Sequence, residues 1–210
     1  MKKTFHIIRH GVTPWNQENR CMGQQDIPLN PTGEAQASAL AVAFAATPLD
    51  RILCSDLSRT RQTAQPLADA TGLPIELDPR LREINYGILE GSCPDEWPTR
   101  FPELMRTWEY GSMDQAPPGG ESRRELMQRC AAVLEACTLS DATHFAIVTH
   151  GGVVMALLTW MIFHAMQETP RHSLGLFKIH NASITSLSWT PERWRILAVN
   201  QPAAAFAPQP

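Results

Sequence analysis

The stretch Phe5-His6-Ile7-Ile8-Arg9-His10-Gly11 decides the fold, because a short run that favours β-structure ends at an arginine, a histidine and a glycine. A second run, residues 145–149, ends in the same way at His150-Gly151-Gly152, where a helix begins. Such runs predict buried strands, and ligands bind beyond the carboxyl ends of parallel strands. We therefore expect His10 and His150 to lie at the same edge of a sheet.

Strand and helix patterns alternate along the rest of the chain. Three further strands are predicted at residues 52–54, 184–189 and 194–199, and four helices at residues 31–47, 57–71, 121–137 and 151–164. Asn30 and Pro31 supply the cap and the first-turn proline of the first helix, and Gly72 follows the end of the second. This alternation predicts an α/β domain with a mostly parallel central sheet and helices on both faces.

Two segments depart from the alternation. Residues 90–120 are rich in proline and aromatic side chains, which predicts an inserted lid. Trp97, Phe101 and Trp108 could line an apolar pocket for a bulky leaving group, or they could hold the lid against the domain. Residues 201–210 are rich in alanine and proline and are expected to be disordered.

The composition is typical of an ordinary soluble protein, with 210 residues of which 43% are apolar and 19% are charged. It fits a single domain over residues 1–200. No apolar run approaches the ~18 residues that a membrane span needs, and Arg9 and His10 interrupt the N-terminal stretch before it could form a secretion signal. Five cysteines without metal-site spacing indicate free thiols and a cytoplasmic location. The net charge of −3 argues against nucleic acid as a partner. The sequence is compatible with a monomer and with a homodimer.

The side chains at the predicted sheet edge indicate a site for a phosphoryl group. Arg59 falls in the first turn of the helix after the strand at residues 52–54, so it can converge with Arg9, His10 and His150. Guanidinium forks match phosphate oxygens, and the helix N-terminus at Gly151 adds free backbone N–H groups. A phosphoryl group held in this way can be attacked by a neutral imidazole nitrogen without a metal ion.

Glu83, in the run Leu81-Arg82-Glu83-Ile84-Asn85-Tyr86-Gly87, is the candidate proton donor for the leaving oxygen. A carboxyl group in this role must be protonated near neutral pH and then serve as the base toward water in a second step.

The motifs occur in an order that resembles one family along nearly the whole chain. They are Arg9-His10-Gly11, Trp15-Asn16, Pro28-Leu29-Asn30 to Gly33, Ser55-Asp56-Leu57-Ser58-Arg59-Thr60, Leu81-Arg82-Glu83, Gly119-Gly120-Glu121-Ser122, Thr149-His150-Gly151 and Asn181-Ala182-Ser183-Ile184. The sequence resembles the histidine phosphatase superfamily, in its phosphoglycerate-mutase-like branch.

This resemblance implies a three-layer α/β/α sandwich that acts on small phosphate esters and needs no metal and no cofactor. It implies His10 as the phosphorylated nucleophile and Glu83 as the proton donor. The implied phosphate pocket consists of Arg9, Arg59 and His150, with Asn16 beside them. Within the branch, the sequence looks most like broad-specificity phosphatases and α-ribazole phosphatases.

Several departures bear on the choice between a mutase and a phosphatase. Cofactor-dependent phosphoglycerate mutases carry an arginine where this chain has Ile84 and a lysine where it has Pro94, and no lysine occurs between Lys3 and Lys178. These losses favour a phosphatase over a mutase. The arginines that could compensate from the lid region are Arg100, Arg106, Arg123 and Arg124.

A further departure concerns the loop before Gly23. Many phosphatases of the family carry a glutamine where this chain has Met22, which cannot donate a hydrogen bond to phosphate. Gln24 or Gln25 could replace that contact.

Other interpretations of single residues are weaker. Cys54 lacks the Cys-x5-Arg loop of cysteine phosphatases, and Asp56 has no acidic neighbour at metal-ligand spacing and is expected to cap the following helix. The remaining histidines are expected to be core residues: His6, His144, His164, His172 and His180.

A non-catalytic binding domain is a disfavoured alternative, because the residues of the predicted site are all present.

Overall fold

The five predicted strands and one further strand form a six-stranded sheet in the computed structural model, which describes residues 1–107, 111–172 and 177–206. The strands are β1 (Lys3–Arg9), β2 (Arg51–Cys54), β3 (Ile75–Leu77), β4 (His144–Thr149), β5 (Ile184–Thr190) and β6 (Arg193–Gln201). The helices are α1 (Pro14–Gln17), α2 (Pro31–Ala43), α3 (Ser58–Thr71), α4 (Trp97–Arg100), α5 (Pro102–Thr107), α6 (Arg123–Thr138) and α7 (Gly151–Met166). Short 3-10 helices cover Pro79–Leu81, Gly87–Leu89, Pro94–Glu96 and Ala203–Ala205.

The order of the strands in the sheet is β3-β2-β4-β1-β5-β6. The pairs β3 with β2, β2 with β4 and β4 with β1 are parallel, whereas β5 is antiparallel to both β1 and β6. The prediction of a mostly parallel α/β sheet is therefore confirmed. Arg9 pairs with Thr149, so the strand ends before His10 and His150 lie side by side.

Helices cover both faces of the sheet. Phe5 and Ile7 of β1 belong to a buried cluster with α6 and α7, whereas Ile8 belongs to a second cluster with α2 and α3. Successive side chains of a strand point to opposite faces, so one strand contributes to both cores. These layers form the three-layer α/β/α sandwich that the sequence predicted.

The helix ends follow local capping rules. The Asn30 side chain accepts a hydrogen bond from the Gly33 N–H at 2.9 Å, and Gly72 ends α3 with a φ of 70°. Ser122 and Glu125 form a capping box, so α6 begins at Arg123, two residues later than predicted.

Some local predictions were wrong. Asp56 does not cap α3; its carboxylate pairs with Arg82 at 2.5 Å, and the Ser58 N–H donates instead to Asp26. Strand β3 was missed because it has only three residues at the sheet edge. Of the histidines assigned to the core, only His6 is fully buried; His164, His172 and His180 are exposed, and His144 is partly buried.

The first part of the predicted lid consists of short helices held by their own small cluster. Trp97 is buried beside Leu89, with Phe101 packed against both, and the Trp97 indole N–H donates to the Ser92 hydroxyl at 2.9 Å. These contacts support the interpretation that Trp97 and Phe101 hold the lid in place. Trp108 lies outside the described residues.

The end of the chain differs from the expected disordered tail. Gln201 closes β6, and Phe206 is 8% exposed and stacks on Phe44 with ring centroids 4.6 Å apart. The alanines and prolines after β6 thus lead one aromatic ring into the core formed with α2, while residues 207–210 lie outside the described part. No helix in the described residues is both long and apolar enough to cross a membrane.

Candidate active site

His10 lies just after β1 and is held in one tautomer. Its Nδ1 is 2.7 Å from the Gly11 carbonyl oxygen, which can only accept, so Nδ1 carries the proton. Burial, with the charges of Arg59 and Arg9, holds the pKa of His10 well below its usual range. The ring is therefore neutral, and the lone pair lies on Nε2.

His150 is fully buried at the N-cap of α7, and its ring centroid lies 5.2 Å from that of His10. Its Nδ1 accepts a hydrogen bond from Arg59 Nε at 3.2 Å, so its proton lies on Nε2, which donates to the Ser55 hydroxyl at 2.9 Å. Burial and the charge of Arg59 hold the pKa of His150 well below its usual range. The role of Ser55 was not predicted, although its place directly after β2 was a usable signal.

Arg59 is fully buried and held by main-chain oxygens. Its Nη1 donates to the Gln25 carbonyl at 2.7 Å and its Nη2 to the Gly23 carbonyl at 2.8 Å. Burial lowers the pKa of Arg59 to about 10, so the guanidinium stays charged at neutral pH. The loop at residues 23–25 therefore fixes the direction of this charge beside His150.

Arg9 keeps an unsatisfied donor at the site. Its Nη1 donates to the Ile179 carbonyl at 2.5 Å, but its buried Nε has no hydrogen-bond partner among the described residues. A Cβ atom on Gly151 would lie 3.3 Å from this Nε. A buried N–H without a partner is rare in a folded protein, and a bound anion would satisfy it.

Glu83 lies against the first turn of α7. Its Oε2 accepts the Gly152 N–H at 3.0 Å and its Oε1 accepts the Ile84 N–H at 2.9 Å. A Cβ atom on Gly152 would come within 2.2 Å of Glu83 Oε1, so glycine allows this approach. The sequence indicated that the free amides at the start of α7 could bind phosphate. One of them, the Gly152 N–H, is instead bonded to the candidate proton donor.

A short hydrogen-bond network connects the Asn16 side chain to the main chain of His10. Its Oδ1 accepts from the Thr13 N–H at 3.1 Å, as part of the capping box of α1, and from Asn181 Nδ2 at 3.0 Å. Asn181 Nδ2 also lies 3.1 Å from the His10 carbonyl oxygen. The hydrogen bonds given for the Asn16 side chain all use Oδ1, which leaves its amide nitrogen as a candidate donor to a ligand.

The side-chain amides of Gln24 and Gln25 donate to protein groups in this structure. Gln24 Nε2 donates to the Glu83 carbonyl at 3.1 Å, and Gln25 Nε2 donates to the Glu90 carboxylate at 2.9 Å. Both amide groups therefore bond to protein in this structure. Glu90 also accepts the Gln24 N–H at 2.9 Å, a function in holding this loop that the sequence did not reveal.

A cavity of about 530 Å³ opens beside these groups. Its polar wall includes Arg9, Glu83 and Arg123, together with the two glycines at the start of α7. Its apolar wall consists of Tyr86, Met155, Phe177 and Ile179. Its aromatic lining therefore comes from Tyr86 and Phe177, and not from Trp97 or Phe101. A second cavity of similar volume, between α7 and the β5–β6 hairpin, contains none of the predicted site residues.

The remaining candidates lie outside this cavity. Arg100 pairs with Glu96, Arg106 with Glu103 and Arg124 with Asp114, so of the four arginines named as compensating charges only Arg123 lines the cavity. Burial raises the pKa of Cys54 to about 12, which leaves no reactive thiolate. The described residues contain no group of three or more His, Cys, Asp or Glu side chains suited to a metal ion.

Comparisons with known proteins show which family and which structures the chain is similar to. The family model described as "Histidine phosphatase superfamily (branch 1)" matches residues 5–202. The chain is 35% identical over 190 residues to "Probable phosphoglycerate mutase GpmB" of Enterobacter sp. (strain 638), covering 90% of this chain and 86% of that protein. A mycobacterial glucosyl-3-phosphoglycerate phosphatase has a similar structure, with a TM-score of 0.82 and 29% identity over 96% of this chain and all of that one. The α-ribazole phosphatase of Shigella flexneri shares the fold, with a TM-score of 0.84 and 22% identity over 99% of this chain and all of that one.

Proposed function

Because this chain belongs to the histidine phosphatase superfamily (branch 1), we propose that it hydrolyses phosphate monoesters of small metabolites through a phosphohistidine on His10. The observation that carries the proposal is the state of the His10 ring: it is neutral, its Nδ1–H is fixed on the Gly11 carbonyl, and its Nε2 lone pair lies among Arg9, Arg59 and His150.

In the first step, His10 Nε2 attacks phosphorus and the bond from phosphorus to the ester oxygen breaks. The leaving oxygen takes a proton from Glu83, and the alcohol departs. The phosphorylated ring keeps its Nδ1–H, and the Gly11 carbonyl stabilises the positive charge that the ring then carries. The Arg9 Nε–H, which has no partner among the described residues, and the amide N–H groups of Asn16 are the donors proposed for the phosphoryl oxygens.

His150 orients Arg59 in the free enzyme, because its Nδ1 accepts the Arg59 Nε–H. Burial, together with the charge of Arg59, keeps the His150 ring neutral, so we expect it to bind the phosphoryl group as a neutral donor through Nε2–H, which donates to the Ser55 hydroxyl in the free protein. In the second step, water attacks phosphorus, Glu83 accepts the proton of the water, and inorganic phosphate leaves His10.

Hydrolysis is favoured over transfer to a second sugar acid. Ile84 is buried in the core and Pro94 lies in a 3-10 helix outside the cavity, so neither position supplies the positive charge found in cofactor-dependent mutases. The second candidate is a phosphoglycerate mutase, favoured by the name of the 35% identical relative and by Arg123 in the cavity. An α-ribazole phosphatase is a third candidate that rests on the shared fold, and a binding-only role is the least favoured.

The test traps the phosphoenzyme and compares transfer of its phosphoryl group to water with transfer to a phosphoglycerate. The wild-type protein should hydrolyse p-nitrophenyl phosphate in the presence of EDTA and give a phosphoenzyme that is labile to acid and stable to base. His10→Ala should abolish both. Efficient interconversion of phosphoglycerates with 2,3-bisphosphoglycerate, exceeding hydrolysis, would establish the mutase instead, and an acid-stable adduct would indicate a hydroxyl nucleophile.

A further inference from the structure

We propose that Asn200 is a positioning residue for Arg9, because it fixes the direction of the carbonyl group to which the Arg9 guanidinium is bonded. This inference rests on the proposed phosphatase function, in which Arg9 binds the phosphoryl group. Asn200 is the penultimate residue of β6 and is not among the described residues that line the 530 Å³ cavity. Its effect on the site must therefore pass through the segment at residues 178–182.

The Asn200 side chain bonds to the main chain on both sides of Ile179. Its Oδ1 accepts the His180 N–H at 2.7 Å, and its Nδ2 donates to the Lys178 carbonyl at 2.9 Å. These partners determine which end of the amide is the oxygen, since a main-chain N–H only donates and a carbonyl only accepts. One side chain thus holds two successive peptide groups, the one before Ile179 and the one after it.

The second of these peptide groups connects Asn200 to Arg9. The His180 N–H and the Ile179 carbonyl belong to the same planar trans peptide, so they point in opposite directions. When Asn200 binds the N–H, the carbonyl on the other side is directed toward Arg9, whose Nη1 donates to it at 2.5 Å. Because the Arg9 Nε–H has no partner among the described residues, the direction of the guanidinium depends strongly on this carbonyl.

The backbone at Asn200 has an unusual conformation that supports this contact. Its φ is 61°, in the left-handed region that asparagine adopts more readily than most residues with a side chain. Strand β6 has two residues between successive pairing partners where β5 has only Thr185, so Asn200 lies in a β-bulge, and its N–H donates to the Thr185 hydroxyl at 3.2 Å. A bulge changes the direction of a side chain relative to a regular strand, and here it accompanies the contact with residues 178–180.

Other contacts hold the main chain around His10 independently of Asn200. The Ala182 N–H lies 3.0 Å from the Arg9 carbonyl oxygen and 3.1 Å from the His10 carbonyl oxygen. The Asn181 Nδ2 also lies 3.1 Å from the His10 carbonyl oxygen. None of these bonds uses the Asn200 side chain. Its removal should therefore release the Arg9 guanidinium and weaken phosphate binding, while the position and tautomer of His10 are retained.

The experiment measures the inhibition constant of inorganic phosphate, together with KM and kcat for p-nitrophenyl phosphate. Asn200→Gly keeps the left-handed backbone and removes the amide. The inhibition constant and KM should rise by about tenfold, with a smaller change in kcat, because the lost interaction is made in the ground state as well as in the transition state. Asn200→Asp keeps the acceptor for the His180 N–H, so both constants should stay within about threefold of the wild type. The matched control is Asn19→Gly, which makes the same change at an exposed residue with a φ of 51° and should leave both constants unchanged.

The inhibition constant does not depend on the folded fraction of a preparation, so partial unfolding does not obscure the result. If Asn200→Gly does not fold, Asn200→Ser replaces it, since its hydroxyl is one bond too short to reach the His180 N–H. An unchanged phosphate constant in these variants, a fall in kcat alone, or a loss of affinity in Asn200→Asp equal to that in Asn200→Gly would overturn the inference and leave the phosphatase intact. No turnover of p-nitrophenyl phosphate by the wild type would refute the proposed function itself.

Discussion

At the scale of single residues, the direction of a hydrogen bond determines which nitrogen of each active-site histidine carries a proton. The Gly11 carbonyl can only accept from His10, and Arg59 can only donate to His150, so the two rings take opposite tautomers. Ser55 completes the second arrangement by accepting from His150 Nε2. The proposed nucleophile, Nε2 of His10, is therefore kept free of a proton by a partner that does not itself react in the proposed mechanism.

The buried histidines make a prediction about stability and pH. Burial lowers the pKa of His6 to about 4, and the pKa values of His10 and His150 lie well below 6.5. Below pH 6.5 the unfolded chain binds more protons than the folded one. The free energy of unfolding should therefore be highest above pH 6.5 and fall as the pH falls, by at most about 1.4 kcal/mol per pH unit for each histidine.

Urea unfolding at pH 7.5, 6.5 and 5.5 would measure this slope. Carboxylates whose pKa lies below its usual value, such as Asp50 and Asp56, titrate further toward acid, so this range isolates the histidines. His6→Asn should reduce the slope by about a third, since it removes one of three contributions of similar size. The slope is the readout because the variant also changes overall stability; an unchanged slope would contradict the assignment.

At the scale of elements, the loop at residues 23–25 connects distant parts of the site. Glu90 accepts the Gln24 N–H and the Tyr86 N–H on one oxygen, and the Gln25 side chain on the other. The carbonyls of Gly23 and Gln25 in turn hold Arg59. We therefore expect Glu90 to be a positioning residue that acts on the substrate through this loop.

We expect Glu90→Ala to weaken phosphate binding more than chemistry. Once the loop is released, Arg59 loses its fixed direction, so KM and the inhibition constant of inorganic phosphate should rise by about tenfold, with a smaller change in kcat. Glu96→Ala is the matched control, because Glu96 is exposed and forms only a 3.7 Å ion pair with Arg100. A fall in kcat with an unchanged KM would argue against a positioning role for Glu90.

At the scale of the whole molecule, the last described segment of the chain packs against the core beside α2. Phe206 contacts the rings of Phe44 and His6, with centroids 4.6 and 5.1 Å away, although it comes from an alanine- and proline-rich stretch. The tail thereby completes the second core cluster, which lies on the opposite side of the sheet from α6 and α7.

Phe206→Ala should lower the free energy of unfolding by about 2–4 kcal/mol, at the low end of large-to-small core substitutions if the chain terminus relaxes. Leu139→Ala is the control, because Leu139 is 89% exposed and should change stability little. Both values follow from urea unfolding at pH 7.5. Equal stability of the two variants would mean that the tail does not contribute to the core in solution.

The sequence by itself determined the class of the fold and predicted the candidate site residues. Short apolar runs, helix caps and strand ends are local patterns, so β1, β4 and the helix at Gly151 could be predicted, and the parallel arrangement then placed His10 beside His150. Strand β3 was missed because three residues at a sheet edge carry too little pattern, and the tail was misjudged because composition does not show where a single aromatic ring packs.

Only the tertiary structure decided which partners control those residues. Ser55 lies 95 positions from His150, and Glu90 lies 66 positions from Gln24, so no local pattern links them. Arg123 lines the cavity whereas Arg124 pairs with Asp114, and this difference depends on where the first turn of α6 lies relative to the cavity. The physical reason is the same in each case: a hydrogen bond or a cavity wall depends on distances of a few ångströms between segments that only packing brings together.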